Sequence, residues 1–342
     1  MRRTVHSLLF AIPIMLLTAP GHPRVTAAEP VGIIFDTDMG ADIDDALALA
    51  MLHSFEDRNA CRLLAVTLTN PEERATPLVQ IINHFYGHDV PVGRATNNKP
   101  AKSGYLDTVA LKDGEALRYP NPGKPDAELP AAPALLRKVL AAQPDQSVII
   151  VQVGFFSNLA ELLKSGPDDV CSLSGLDLIK KKVKWLSIMG GSFAKIDGHD
   201  HFTEYNIQGD RPASIAVAKD WPTPILWSGF EIGIAVPYPG KSIEKDFGYV
   251  ANHPVADAYR LFEKMPYDRP TWDLTSVLVA VLPDRGYFDL SPAGRVTVEA
   301  DGFTSFAPAE NGRDHYLVLP ADRRDRVVEA LIQLVSQPPK SK

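Results

Sequence analysis

The chain has 342 residues, of which 45% are hydrophobic and 23% charged, the balance of a soluble globular protein built as one large or two small domains. A chain of this length buries most of its unfolded surface, so folding alone demands neither a disulfide nor a metal. Its net charge of −7 is offset by no basic patch beyond the short Lys180–Lys182 run, which reads as the solvated end of a helix; a nucleic-acid ligand needs clustered cations, so small molecules are the better candidates.

In chain order, residues 1–28 stand apart. Arg2 and Arg3 open them, an apolar stretch Leu8–Leu17 follows, and small residues close them at Ala27-Ala28, the pattern of a secretory signal peptide. The apolar stretch is short for a bilayer span. The expected organisation is a signal peptide over 1–28 and one domain over 29–342, exported to the periplasm or secreted and free of the membrane after cleavage; an uncleaved anchor is the alternative. Cleavage removes three arginines and no acid, taking the net charge from −7 to near −10. Export would allow Cys61 and Cys171 to pair, but Cys61 opens an apolar run and suits a buried free thiol equally well.

Val31–Phe35 is a continuous apolar run, the mark of a buried parallel strand. Ile43, Ala46, Leu47, Ala50 and Met51 then recur at helical spacing. Strands are predicted over 61–69, 90–92, 148–153, 183–189 and 223–227, with helices over 78–86, 134–142, from 159 and over 274–281. Residues 95–130, rich in Pro, Gly, Asn and Lys, read as a long loop. After Gly286 the pattern weakens into hairpin strands over 296–299 and 316–319 and a last helix over 323–335. Alternating strands and helices predict an α/β fold: a single domain with a mainly parallel open sheet and helices on both faces.

In such sheets ligands bind beyond the carboxyl ends of the strands. The first strand delivers Asp36, Asp38, Asp42, Asp44 and Asp45 within ten residues, and so many carboxylates would repel one another without a hard dication held by oxygens. A capped helix start would account for one or two of them. The 148–153 strand leads to Ser157-Asn158, which either cap the next helix or turn a carbonyl to a metal. The 183–189 strand leads through Gly190-Gly191 to Glu204-Tyr205-Asn206, where Glu204 and Asn206, two apart in an extended segment, would point the same way and suit a polyhydroxylated ligand. Trp272-Asp273 precedes an apolar helical run; Asp273 alone could be an N-cap and Trp272 alone could be core.

Taken in order, these stations resemble the inosine–uridine-type nucleoside hydrolases, whose hallmark is a first strand followed by Asp-x-Asp-x-Gly and an Asp-Asp-Ala triplet. The resemblance runs from about residue 31 to about 285. It implies a tightly bound Ca²⁺ and hydrolysis of the N-glycosidic bond of a ribonucleoside to ribose and free base. It implies that Asp38 is both metal ligand and general base, that Asp45, Ser157 (through its carbonyl) and Asp273 complete the metal shell, and that Asp36 supports it from behind. It implies that Asp44, Asn70, Glu204 and Asn206 hold the ribose hydroxyls. Dimers or tetramers are a further implication. Three departures stand out. Asp42-Ile43 are two extra residues, making Asp42 a rival of Asp44. Trp272 stands where one subclass has a histidine, as in the purine-preferring subclass, where stacking helps activate the base. Gly198-His199-Asp200-His201 replaces an expected asparagine; His199 and His201 are either acids or solvated loop residues. Hydrolysis of another ribosylated or sugar compound, or nucleoside binding without cleavage, are the competing readings.

Overall fold

The computed structural model describes residues 29–340. The signal-peptide expectation falls on residues 1–28 and lies outside them. The strands are β1 Val31–Thr37, β2 Cys61–Leu68, β3 Val92–Gly93, β4 Lys112–Asp113, β5 Ala116–Leu117, β6 Val148–Gln152, β7 Val183–Met189, β8 Ile225–Ser228, β9 Asp289–Leu290, β10 Gly294–Val298, β11 Thr304–Pro308 and β12 Asp314–Val318. The main sheet runs β11-β10-β12-β8-β7-β6-β1-β2-β3, with β9 also paired to β12. From β12 to β3 every neighbouring pair is parallel, while β9, β10 and β11 pair antiparallel.

Burial on both faces explains the apolar runs. Ile33 and Phe35 of β1, with Ile149 and Val151 of β6, pack under the helices Asp44–Asp57, Ala75–Phe85, Pro254–Phe262, Trp272–Val281 and Arg324–Val335. Ile34, Val148 and Ile150 face the other way, onto Ala132–Ala142, Ser157–Lys164, Gly175–Lys182 and Arg211–Asp220. Period-two alternation thus separates two cores, each fully apolar, so no polar stripe marks the strands in the sequence.

The chain runs from β1 outward to β2 and β3, then returns to place β6 on the other side of β1. The strand order therefore reverses at the β1–β6 boundary, and a crevice is expected beyond the carboxyl ends of these two strands. The carboxyl end of β1 carries Asp36; Asp38 follows it directly.

The structure corrects several expectations. Residues 95–130 are no structureless loop: they hold 3-10 turns at Gly104–Ala110 and Asp126–Glu128 and the β4–β5 hairpin. The region after Gly286 has an additional strand, β11, and β12 joins β8 in parallel, so the two expected strands are not a simple hairpin. Glu204 and Asn206 do not lie in an extended segment; Glu204 caps the helix Tyr205–Gly209 and Asn206 is inside its first turn. Cys61 and Cys171 are both free thiols. Among the described residues no helix is long and apolar enough to cross a membrane.

β6 crosses so close to β1 that Gly154, just beyond its end, has no room for a side chain: a Cβ there would lie 2.5 Å from the Asp38 nitrogen and 2.7 Å from the Thr37 carbonyl carbon. Both are backbone atoms and cannot swing aside. Gly154→Ala is expected to cost about 1–3 kcal/mol of stability, read as a lower urea midpoint with an unchanged slope.

Candidate active site

The crevice is a cavity of about 520 Å³. Five aspartates, from the segment after β1, the start of Asp44–Asp57 and the distant helix Trp272–Val281, reach it: Asp38, Asp42, Asp44, Asp45 and Asp273. Asp38 hangs from the loop after β1. Asp44 and Asp45 open the helix Asp44–Asp57, and Asp273 lies in the first turn of Trp272–Val281, where the positive end of each helix dipole favours carboxylates. Carboxylate oxygens of Asp44, Asp45 and Asp273 come within 4.8 Å of one another. The Asp273 backbone N–H donates to Asp44 Oδ2 at 3.1 Å, locking the two helix starts together.

Such crowding is costly without a counter-charge. Burial, then repulsion from Asp42, pushes Asp38 up to about 8. Burial and neighbouring aspartates hold Asp44, Asp45 and Asp273 well above the usual carboxylate range. Asp38 Oδ2 and Asp45 Oδ2 are buried with no hydrogen-bond partner. Two orphaned carboxylate oxygens beside the Asp44, Asp45 and Asp273 cluster fit a divalent cation. Asp36 stands behind: its Oδ1 accepts from Thr67 Oγ1 at 2.6 Å and from Asn158 Nδ2 at 2.7 Å, and burial raises its pKa to about 7. Thr37 Oγ1 in turn donates to Asp45 Oδ1.

Ser157 is not brought to the cavity wall. It is the first residue of Ser157–Lys164, so its carbonyl faces down the helix axis, and its hydroxyl accepts from Asn98 Nδ2 at 2.8 Å. Val153 is the residue of this segment that lines the cavity. Asn70 is also turned away. Its Oδ1 accepts from Ala101 N and Glu72 N, and its Nδ2 donates to the carbonyls of Ala101 and Met39, so its capacity is spent on joining two loops.

Glu204 and Asn206 both line the cavity although they sit on a helix. Glu204 accepts from the backbone N–H groups of Asn206, Ile207 and Gly191, and burial still raises its pKa to about 7. Asn206 Nδ2 donates to the Val153 carbonyl at 2.7 Å. Trp272 lines the wall with its Nε1 donating to the Phe230 carbonyl at 3.0 Å and its ring tilted against Phe230 at 5.2 Å.

Asp42 is held at the rim by an ion pair with Arg269, whose Nε donates to Oδ1 at 2.9 Å. The guanidinium also lies 5.5 Å from the Trp272 ring. Asp44 sits deeper, with no cationic partner of its own within ion-pair distance among the described residues. Arg269, Lys102, Tyr205 and Phe230 are wall residues that sequence reasoning did not single out. Arg269 lies three positions before Trp272, the one local cue that could have flagged it. His201 is away from the cavity, in an exposed ion pair with Asp301 at 3.0 Å, and His199 is exposed.

The profile of the family described as inosine-uridine preferring nucleoside hydrolase matches residues 33–324. Uridine nucleosidase 1 of Arabidopsis thaliana is 29% identical over 190 residues, 54% of this chain; the chain spans about half, 52%, of that relative's length. The fold is shared with a plant nucleoside hydrolase (24% identity, 90% of this chain and 100% of that one, TM-score 0.63) and with a purine-preferring ribonucleoside hydrolase from Gardnerella vaginalis (18%, 89% and 98%, 0.66). It is also shared with the type III effector protein XopQ solved with adenosine diphosphate ribose (17%, 92% and 96%, 0.69).

The buried acids set a pH dependence. Asp36, Asp38 and Glu204 hold their protons to about 7 or 8 in the folded chain but release them near 4 when unfolded. The unfolded state then binds fewer protons, so stability falls as pH rises. Protein stripped of divalent ions should therefore lose melting temperature steadily from about pH 4 to pH 8, and a saturating divalent cation should flatten that slope.

Proposed function

The chain belongs to the inosine-uridine preferring nucleoside hydrolase family, and from that premise we propose that it hydrolyses the N-glycosidic bond of ribonucleosides to ribose and free base, with Ca²⁺ as its ion. The observation that supports this reading is the gathering of Asp44, Asp45 and Asp273 within 4.8 Å, beside Asp38 and with orphaned oxygens on Asp38 and Asp45, in a cavity also lined by Glu204, Asn206 and Trp272. All-oxygen donors suit Ca²⁺. Asp38, Asp45 and Asp273 would hold it, with the Val153 carbonyl taking the place expected of Ser157. When bound, the ion orients a water and lowers its pKa.

Asp38 is the general base: with an ion in place it would be held as the carboxylate and would accept the water proton as the oxygen attacks C1′ of the ribosyl group. The C1′–N bond breaks, and its electron pair leaves with the base. Positive charge develops on the ring in this step, and the surrounding carboxylates Asp44 and Glu204 stabilise it. Asp44, Glu204 and Asn206 orient the ribose hydroxyls; Asn70 acts indirectly, by fixing the Asp38–Met39 carbonyls. Asp42 belongs to the rim through Arg269, leaving Asp44 to the sugar. Trp272 stacks on the base, which favours purines. The proposal places the mature chain outside the cytoplasm, on the pattern of residues 1–28, and extends to homo-oligomers on the family's behaviour alone.

Asp38→Asn should lower kcat by about 10²–10⁴-fold while Ca²⁺ binding weakens, measured by free base and ribose released from inosine, adenosine, guanosine and uridine. Trp272→Ala should reduce kcat/KM for purine nucleosides by roughly 5–150-fold, the equivalent of about 1–3 kcal/mol of stacking, and for uridine by less. A second reading, cleavage of a larger ribosylated compound, is favoured by Lys102 and Arg269 at the rim. Adding phosphorylated ribosides to the panel separates the two: silence on all four nucleosides with Ca²⁺ bound would overturn the first.

A further inference from the structure

The helix Asp44–Asp57 carries the cavity acids on its first turn and a different cluster on its last. His53 and Glu56 project from that last turn, and His88 follows the helix Ala75–Phe85. One ligand atom from each of the three lies within 4.8 Å of the others. His88 Nδ1 is 3.2 Å and His53 Nδ1 4.0 Å from Glu56 Oε2. His53 is fully buried, and its Nδ1 has no hydrogen-bond partner; Glu56 Oε2 has none either.

Three outer contacts hold these side chains beside one another. Asn83 Oδ1 accepts from His53 Nε2 at 2.8 Å, which leaves the Nδ1 lone pair free. Asp57 Oδ1 stands 3.2 Å from His88 Nε2, and His88 Nδ1 faces Glu56 Oε2. Glu56 Oε1 accepts from the Leu63 N–H at 3.2 Å, which fixes the carboxylate so that Oε2 faces the two rings. Each ligand thus has an outer partner on its far side, the arrangement that orients metal-binding histidines. A neutral imidazole is the ligating form, and burial keeps His53 neutral.

We propose that His53 Nδ1, Glu56 Oε2 and His88 Nδ1 form a second metal site, for a borderline-soft transition-metal dication such as Zn²⁺, separate from the aspartate site. Two imidazoles and one carboxylate suit Zn²⁺ better than Ca²⁺, which prefers six to eight oxygens. Ligand atoms about 2 Å from a tetrahedral ion stand roughly 3.3 Å apart, which the 3.2 Å between His88 Nδ1 and Glu56 Oε2 matches, while the 4.0 Å from His53 Nδ1 to Glu56 Oε2 shortens on binding. Binding turns the partly exposed His88 ring out of its near-parallel stack on His53, 9° between planes with centroids 5.1 Å apart. On its outer side His88, with Asn83, borders a cavity of about 630 Å³ near β3. Bound by the three ligands, the ion ties the last turn of Asp44–Asp57 to the segment after Ala75–Phe85.

The test uses the full mature protein saturated with Ca²⁺ and titrated with Co²⁺, then Zn²⁺. One equivalent of Co²⁺ is expected to bind with the intense visible absorption of a four-coordinate site and to be displaced by Zn²⁺. His88→Ala and Glu56→Gln should abolish that band, Asp57→Asn should weaken Zn²⁺ binding about 10–100-fold, and Asp45→Asn should leave the band intact. Circular dichroism establishes that each variant is folded, and Glu56→Gln serves if His88→Ala is not. Absence of the band, its persistence in folded His88→Ala or Glu56→Gln, or its loss in folded Asp45→Asn would each overturn the proposal.

Discussion

Buried carboxylates repelling one another at the end of β1 are the constraint from which the architecture of this protein can be read. Asp38, Asp44, Asp45 and Asp273 are nearly sealed from water, and at neutral pH they must share protons or hold a cation. Everything nearby serves to hold them in place against that repulsion. The reversal of strand order opens the crevice, two helix starts supply favourable dipoles, and Asp36 is bound from behind by Thr67 and Asn158. The absence of a Cβ at Gly154 lets β6 close against the Asp38 backbone. Asn70 stitches the Met39 carbonyl to Ala101, fixing the loop that bears Asp38.

Much of this was legible in the sequence because it rests on local chemistry. Apolar runs such as Val148–Val151 mark buried strands whatever their partners, and five aspartates in ten residues point to a cation before any fold is known. The features that escaped reading depend on distant contacts. Arg269 meets Asp42 across 227 positions, and Lys102 reaches the cavity from a segment with the composition of plain loop. The helices Tyr205–Gly209, Phe230–Ala235 and Gly240–Lys245 are five or six residues long, too short to show periodicity. Glu204 as an N-cap offers the same side chains to the ligand by a different backbone. Ser157 and Val153 show the same limit at finer scale: where a strand gives way to a helix within four residues decides which residue lines the cavity, and periodicity cannot locate that point.

The two clusters on the helix Asp44–Asp57 contrast in chemistry. At its start every donor is a hard oxygen; at its end two imidazoles share the work with one carboxylate. One rigid element of 14 residues can therefore present unlike ligand sets without either interfering with the other, since roughly two turns separate Asp45 from His53.

Asp42-Ile43, two residues more than the nucleoside hydrolase pattern that this stretch resembles, fall between Gly40 and the first helical residue. Every residue added inside an α-helix rotates the remaining turns by about 100°, so two inserted one turn later would have swung the apolar face of Asp44–Asp57 by about 200°, away from the sheet. Placed before the helix, the insertion leaves that phase untouched, and Asp42 is absorbed by Arg269 at the rim. Ile43, fully buried, joins the core just ahead of this helix; it is at Asp42, on the rim, that the mouth of the cavity can be remodelled while its floor stays fixed.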